Sequence, residues 1–452
     1  MSFSSPVASA TALMLALFAP TVFGQTDKER ELEERIVQLE KLVEQMATQQ
    51  QAAAAATPPA PAPAAAPASP ADQPIQATTI TPTASPTTKF RYGGYIKVDS
   101  IYTDTTDGEI ADGSVGRLFY VPSTIPVGAP AADEGTDLDV HAQFSRFWFG
   151  TDTTLSSGSK LTSYLEFDVF GGGSNAFLGN ETSTNTHGLA VRHMWVSWDN
   201  WLAGQSWSNF QDIAALPDTV DFVGPSEATI FVRQAQLRYT MGPWTFSLEN
   251  PETTVTPFGG ATARIASDDN NIPDVIARWT TKGAWGHFSV AGMVRQFKYQ
   301  NPATGINDSS TGGAISLSGK WNLGANDDIR FMLNAGPGIG RYLGFGIASD
   351  TVLTAGGDLD AIDGLGAYVG YRHVFNSYLR GNVFYSLASF DNDIALTGLG
   401  VTKKVESSHV NLIYSPLPKL DLGAELIFGE RSIESGADGE MRRLHMHVKY
   451  NF

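Results

Sequence analysis

Arginine carries most of the chemistry that can be read from this chain. Arg146, Arg192, Arg238, Arg278, Arg295, Arg330, Arg372, Arg380 and Arg443, with Lys449, sit in segments that alternate apolar and polar residues, and each takes the polar register. A strand turns successive side chains to opposite faces, so these cations share one face of a sheet. Arg233 shares parity with Ala235, Leu237 and Tyr239, and its face is left open. Guanidinium groups around a wet space attract anions, and a low-dielectric wall focuses their field. Carboxylates in the same segments are fewer: Asp99, Glu166, Asp168, Asp274, Asp421 and Glu425. The formal charge is −17, yet the acidic residues concentrate between strands, as at Asp104, Asp107, Glu109, Asp112, Asp268 and Asp391. The expectation is a cationic interior in an acidic protein. The competing reading is that these arginines only pair with carboxylates.

The last residues show the pattern most clearly. Leu444, Met446, Val448, Tyr450 and Phe452 alternate with Arg443, His445, His447, Lys449 and Asn451. The same alternation recurs at Leu161–Val169, Ile329–Ala335 and Leu422–Phe428. Strands are expected at about 90–103, 139–153, 160–170, 188–198, 200–207, 229–240, 244–250, 273–281, 285–299, 312–322, 328–338, 364–375, 378–387, 403–415, 420–430 and 442–452, about sixteen in all. Between them, tight turns such as Asp199-Asn200 and Asn376-Ser377 alternate with long connectors: 104–138, 171–187, 208–228, 251–272, 300–311, 339–363, 388–402 and 431–441. A sandwich has no reason to alternate in this way. A transmembrane antiparallel β-barrel does, with short turns at one end and long loops at the other. Its apolar face meets lipid and its polar face lines a lumen. Trp195, Trp198, Trp201, Trp244, Trp285, Trp321, Tyr378, Tyr414 and Tyr450 lie near strand ends, as aromatic girdles require. With an even strand count, the linker and Phe452 fall on the short-turn side.

Ahead of the barrel, residues 1–24 read as a signal peptide, with the apolar run Ala10–Phe18 and small residues before Gln25, although no Lys or Arg precedes that run. Residues 25–51 read as a coiled-coil helix: Leu32, Ile36, Leu39, Val43 and Met46 fall at heptad spacing. Ile and Val at one seam position with Leu at the other lean towards a dimer. Residues 52–89 are an Ala/Pro-rich linker, which at about 3.1 Å per residue spans on the order of 100 Å when extended. The barrel is expected over 90–452. No apolar run after residue 24 is long enough for a membrane helix.

With 452 residues, 42% hydrophobic and 17% charged, the chain has ample material for a large barrel. It has no Cys, which excludes disulfides and thiolate chemistry, and its acidity argues against nucleic acid as a partner. No cofactor or metal is expected. His445 and His447 share a face without an identifiable third ligand, and Gly336–Gly340 opens no helix. Ser206, Ser208 and His193 supply hydrolase-type groups without a recognisable motif, so the chain is read as a non-enzyme. An outer-membrane barrel with hydrolase activity, or one acting mainly as a cell-wall tether, are the alternatives.

Several segments together resemble a known family. They are Phe90-Arg91-Tyr92-Gly93-Gly94-Tyr95-Ile96-Lys97, Phe144-Ser145-Arg146-Phe147, Val191-Arg192-His193-Met194-Trp195-Val196, Trp201-Leu202-Ala203-Gly204-Gln205-Ser206-Trp207-Ser208-Asn209-Phe210, and the terminal Phe452. With the signal, coiled coil and linker ahead of them, they resemble the DcaP-type trimeric outer-membrane porins. The resemblance covers nearly the whole chain. It implies a homotrimer in the outer membrane of a Gram-negative bacterium, in contact with lipid and lipopolysaccharide. It also implies passive diffusion of small hydrophilic, preferentially anionic solutes such as dicarboxylates, and outer-membrane assembly served by Phe452. The N-terminal arm would reach the cell wall. In porins generally the loop after the fifth strand narrows the lumen. Here that loop carries Asp212, Asp218, Asp221 and Glu227, expected to oppose the wall arginines across a constriction.

Overall fold

The computed structural model describes residues 87–128, 136–171 and 187–452, together with Lys41, which is helical. The expected signal peptide, the rest of the coiled-coil helix and the linker as far as residue 86 lie outside the described residues. The wall starts with β1 (Thr88–Thr105), so Thr88 and Lys89, assigned above to the linker, already belong to the sheet. The second wall strand comes in two halves, β2 (Thr136–His141) and β3 (Arg146–Thr154), both antiparallel to β1. The break at 142–145 turns Phe144 into the interior at 0% exposure, while the Ser145 hydroxyl accepts the Lys97 N–H at 3.1 Å.

The chain continues through β4 (Lys160–Gly171), β5 (Gly188–Trp198), β6 (Trp201–Trp207), β7 (Arg233–Met241) and β8 (Trp244–Glu249). Then come β9 (Thr253–Thr256), β10 (Ile265–Ser267), β11 (Asp274–Gly283), β12 (Gly286–Asn301), β13 (Ile306–Leu323) and β14 (Asp327–Pro337). It ends with β15 (Thr351–Leu353), β16 (Leu359–Ala361), β17 (Asp363–Asn376), β18 (Leu379–Asp391), β19 (Thr402–Leu417), β20 (Leu420–Ile433) and β21 (Asp438–Asn451). Apart from β9, β10, β15 and β16, every strand pairs antiparallel with its neighbour. With β2 and β3 counted as one, the wall has sixteen strands. It closes where β1 meets β21, from Tyr95↔Asn451 to Thr105↔Met441. The Phe452 N–H donates to Gly94 O at 3.0 Å, and its ring lies 5.8 Å from that of Phe147. Among the described residues, closure gives every wall strand except the half-strand β2 a partner on both sides, as a lipid environment demands.

Burial inverts the pattern of a soluble protein. Val98, Tyr102, Leu426, Phe428, Met446, Val448 and Tyr450 face outwards at 40–50% exposure, while Asp99, Glu425, Arg443 and His445 of the same strands are 0–2% exposed. Only a lipid-facing wall makes this arrangement favourable. Trp198, Trp201, Trp244, Trp285, Trp321, Tyr378, Tyr414 and Tyr450 are all well exposed beside short turns, as a girdle requires. Trp195 departs from the expectation: its ring stacks on Tyr164, whose hydroxyl donates to Glu166 on the polar side of the wall.

Two connectors expected to be long are tight hairpins. Residues 302–305 join β12 to β13 and 434–437 join β20 to β21, each turning on a left-handed glycine, Gly305 (φ 76°) and Gly436 (φ 85°). Two other connectors contain a second sheet, in the order β10-β9-β15-β16, with β9 and β15 parallel. Val255, Leu353 and Leu359 of this sheet pack on Phe297 and Tyr299 of β12. The largest apolar cluster lies inside the barrel. It joins Phe210, Ala228 and Ile230 of the 208–232 connector and Ile339, Tyr342 and Leu343 of the 338–350 connector to the wall residues Ile276, Met293, Met332 and Tyr368.

Candidate functional site

A loop that crosses a barrel brings its backbone carbonyls and N–H groups into a space with little free water, and each needs a partner. The wall supplies them to residues 208–232. Near the start, Arg278 donates to Gln211 O at 2.6 Å. Asp212 accepts from Ala214 N–H (3.2 Å), starting the turn Ile213–Ala215, and meets His287 Nε2 and Ser318 Oγ, both at 2.8 Å. The Tyr368 hydroxyl donates to Ala215 O at 3.1 Å, and Arg330 donates to Leu216 O. Asp218 pairs with Arg380 at 2.5 Å. Glu425 then accepts from Thr219 Oγ1 at 2.7 Å and Val220 N–H at 2.6 Å, while Lys97 Nζ donates to Val220 O at 2.9 Å. Asp221 accepts from Tyr120 N–H at 2.8 Å and lies 3.4 Å from His445 Nδ1. Asn334 donates to Ala228 O at 2.7 Å as the loop returns. The loop therefore leaves β6 and is held by β11, β12, β13, β14, β17, β18, β20, β21 and β1.

Most of the loop carboxylates do not oppose wall arginines, which corrects the expectation for three of the four. Glu227 is 0% exposed and accepts from the Tyr120 hydroxyl at 2.5 Å. Asp212 and Asp221 are 7% and 3% exposed and are spent on holding the loop. Burial pushes the Asp221 carboxyl up, but His445 and the N–H groups of Val223 and Tyr120 outweigh it and hold the group well below its ordinary range. Burial likewise opposes ionisation of Asp212, and His287, Ser318 and Arg278 reverse the sign. Of the four, Asp218 alone forms an ion pair with a wall arginine, and Arg278 reaches Asp212 only through its field. Tyr120, pushed far above the ordinary phenol range by burial and by Glu227, stays a hydrogen-bond donor.

The expected wall cations fall into three groups. Arg146, Arg192, Arg330, Arg372 and Arg380 are half-buried and ion-paired: Arg146 with Glu166 (3.1 Å) and Asp168 (3.0 Å), Arg192 with Asp168 (2.7 Å), Arg330 and Arg372 with Asp328 (2.8 and 2.6 Å), and Arg380 with Asp218 and Asp421. Arg295 and Arg443 are sealed at 1% and 2% exposure, contrary to the expectation that they line an open lumen. Arg295 is covered by folded connectors and held by Asp274 (3.1 Å), Asp350 (2.9 Å) and Gly338 O (2.8 Å). Arg443 donates to Thr103 Oγ1 and Gly116 O. Arg238, Arg278 and Lys449 form no ion pair among the described residues. Arg238 donates to Gln236 Oε1 (2.9 Å) and Trp207 O (2.5 Å), and Lys449 Nζ lies 4.3 Å from the Tyr95 ring.

Arg233, whose face parity left open, lies with its guanidinium 3.5 Å over Trp207 and 5.0 Å from Phe231. It too has no ion pair among the described residues, and its Nε is buried without a hydrogen bond. The Phe231 ring touches Phe222, which stacks on Phe144 at 4.1 Å and lies 5.7 Å from both Arg146 and Arg192. Arginine and phenyl faces thus alternate where three connectors meet β3, β5 and β7. Sequence reasoning missed these aromatics because Phe119, Phe222 and Phe345 sit in connectors with no periodicity, while Phe231 fell in a strand expected over 229–240 that begins only at Arg233. Lys97, 2.6 Å from Asp99, was missed although it lies in β1, where its parity with Asp99 was the one available signal. Of the hydrolase-type groups, the Ser208 hydroxyl accepts from Phe210 N–H, and the His193 ring meets Tyr164 and Trp207 edge-on. His447 Nδ1 lies 3.3 Å from Val220 O, and His445 is held by Asp99 at 2.8 Å.

Comparison with known proteins agrees with this architecture. The crystal structure of the outer membrane channel DcaP of Acinetobacter baumannii superposes with a TM-score of 0.67 at 21% identity, covering 82% of this chain and 99% of that one. OmpT of Vibrio cholerae in its trimer form gives a TM-score of 0.50 at 10% identity, covering 81% and 99%. Salmonella typhi OmpF in complex with daunomycin gives 0.49 at 10% identity, covering 81% and 98%. At their identities, the likeness to DcaP and to OmpT in its trimer form is one of fold. No curated protein matches the sequence. The family model described as DcaP outer membrane protein matches residues 24–452. The chain therefore belongs to the DcaP outer membrane protein family, as a sixteen-stranded channel-type barrel of a Gram-negative outer membrane.

Proposed function

We propose that this channel admits small hydrophilic solutes by passive diffusion, with a preference for anions such as dicarboxylates. The observation that carries the reading is the set Arg233, Arg238 and Arg278, three half-buried guanidinium groups on β7 and β11 with no ion pair among the described residues. A charge 4 Å from a passing anion is worth about 1 kcal/mol even in bulk water, roughly fivefold in local occupancy. Arg146 and Arg192, on β3 and β5, share their carboxylates and extend the cationic wall. The 208–232 loop forms the constriction in this reading, with Asp218 as its half-buried carboxylate paired to Arg380. Reversal potentials in a KCl gradient test the proposal. The wild type should prefer chloride, and the triple Arg233→Gln, Arg238→Gln, Arg278→Gln variant should lose most of that preference. A clear cation preference in the wild type overturns the reading.

The functional unit in this reading is a homotrimer. The family resemblance supports it, as does the trimer form of the similarly folded Vibrio cholerae OmpT. The coiled coil at 25–51 and the Ala/Pro linker would then join three barrels through one N-terminal arm that reaches the cell wall. The barrels would contact lipid and lipopolysaccharide.

A further inference from the structure

A second cationic site lies where several connectors on the long-loop side converge on the end of the wall strand β20. A cavity of 460 Å³ is bounded by residue 123 in the first long connector, residues 256 and 261–264 around β9, residues 345–349, residues 392 and 401–402, and Arg431 near the end of β20. Its volume lies in the range of small-molecule sites. Its polar lining includes Arg264, Arg431, Thr256, Ser349, Asn392 and Thr402, and it contains no carboxylate. In a chain of net charge −17 whose loops hold much of the acid, such a lining is unexpected.

The two arginines are held without being neutralised. Arg264 Nε donates to Ser349 Oγ at 3.3 Å, and Ser349 Oγ lies 2.9 Å from Thr256 Oγ1. Arg431 donates from Nε to Thr402 Oγ1 at 3.1 Å and from Nη1 to Ser123 O and Ile125 O at 2.8 and 3.1 Å. Neither forms an ion pair among the described residues. Both Nη groups of Arg264 and Nη2 of Arg431 have no protein partner there. Glu430, next to Arg431 in sequence, takes the opposite, exposed face of β20, and Glu434 is taken up by Asn392 at 3.0 Å and Lys403 at 3.8 Å. The Asp350 carboxylate, ion-paired with Arg295, reaches Arg264 through its field alone, and a guanidinium fixed by hydroxyls and carbonyls keeps its charge and its remaining planar donors, the geometry that suits a carboxylate.

We propose that this loop-side cavity is a capture site, in which Arg264 and Arg431 take the carboxylate of a small anionic solute before it reaches the lumen arginines. The inference rests on the anion-passing reading above and adds a step that precedes the constriction. Its role is to raise the capture rate from one side of the membrane, as charges at a mouth do.

Succinate added to one side of a planar bilayer provides the test, read as the on-rate of current block. From the long-loop side, Arg264→Gln with Arg431→Gln should lower the on-rate by about tenfold. From the short-turn side the on-rate should be unchanged. The Arg264→Lys, Arg431→Lys variant keeps both charges and should retain most of the wild-type rate. An unchanged loop-side on-rate in the Gln variant overturns the capture site, as does an equal fall from both sides. Chloride preference without succinate block from either side overturns the capture site and leaves the anion-passing reading standing. A cation-preferring wild type overturns that reading itself.

Discussion

Glu425 is the side chain on which the position of the inserted loop depends most. It is 1% exposed and accepts from Thr219 Oγ1 and Val220 N–H of the loop, while His409 Nδ1 (2.7 Å) and Asn411 Nδ2 (3.1 Å) hold it from β19. Glu425→Ala removes the acceptor from these four donors and from the Asp221 N–H (3.4 Å) and leaves them in a buried setting. Deleting one partner of a buried charged network costs about 3–5 kcal/mol, and 1.36 kcal/mol is a factor of ten. The ratio of held to released loop tip should therefore fall by roughly 10² to 5 × 10³. Asp218–Arg380, Lys97–Val220 and Asp221–His445 remain, so the tip is loosened rather than freed. Single-channel recording should show a higher mean conductance and greater open-channel noise. Glu425→Gln keeps one acceptor and should fall between the two. Heat-modifiable electrophoretic mobility checks that the barrel has closed. A closed Glu425→Ala barrel with wild-type conductance and noise would refute the reasoning.

Other outcomes follow from the same contacts. Because Asp221 is held below its ordinary range, its contribution is present above the unfolded carboxylate value, about 3.9, and is lost only as pH falls through the lower folded value. Asp221→Asn should thus be noisier than wild type at pH 7 and converge with it only below about pH 4; equal noise at pH 5 contradicts the sign. Arg295→Ala strands Asp274 and Asp350 at full burial and should cost about 3–5 kcal/mol, measured as a lower folded yield and melting temperature; a wild-type melting curve would dismiss the pairing. Phe452→Asp removes the ring that packs on Phe147 and should impair membrane insertion far more than it alters any pore that forms, so an unaffected yield would remove Phe452 from assembly. Deleting residues 212–222 should raise conductance, and no change would place the loop outside the conducting path.

The barrel was legible because period-two alternation is local. Leu422, Ala424, Leu426 and Phe428 declare a lipid face without reference to the rest of the chain, and sixteen such segments predict closure. What could not be read depends on contacts distant in sequence. Arg295 and Arg330 have the same register and composition around them, yet connectors 338–350 and 251–272 fold over the first and not the second. Asp221 looked like a field-setting carboxylate; only the return of β21 beside β1 brings His445 to it, 224 residues further along. The three- and four-residue strands β9, β10, β15 and β16 are too short for any periodicity to declare them. Parity also misleads near irregularities: pairing shifts between Glu166 and Phe167, Gly204 takes φ 130°, and Arg233 beyond them stacks on Trp207 among the interior rings.

The loop that leaves β6 is tied to strands on nearly every other side of the barrel, by short bonds with little slack. Mechanically it is a strut across a cylinder. A thin-walled cylinder without one flattens easily under side load, whereas a braced one must break its ties first. Lateral pressure in the bilayer, or the push of a neighbouring protein, should therefore leave the cross-section of this barrel almost unchanged. Its conductance would then report on solute and salt while remaining indifferent to membrane tension.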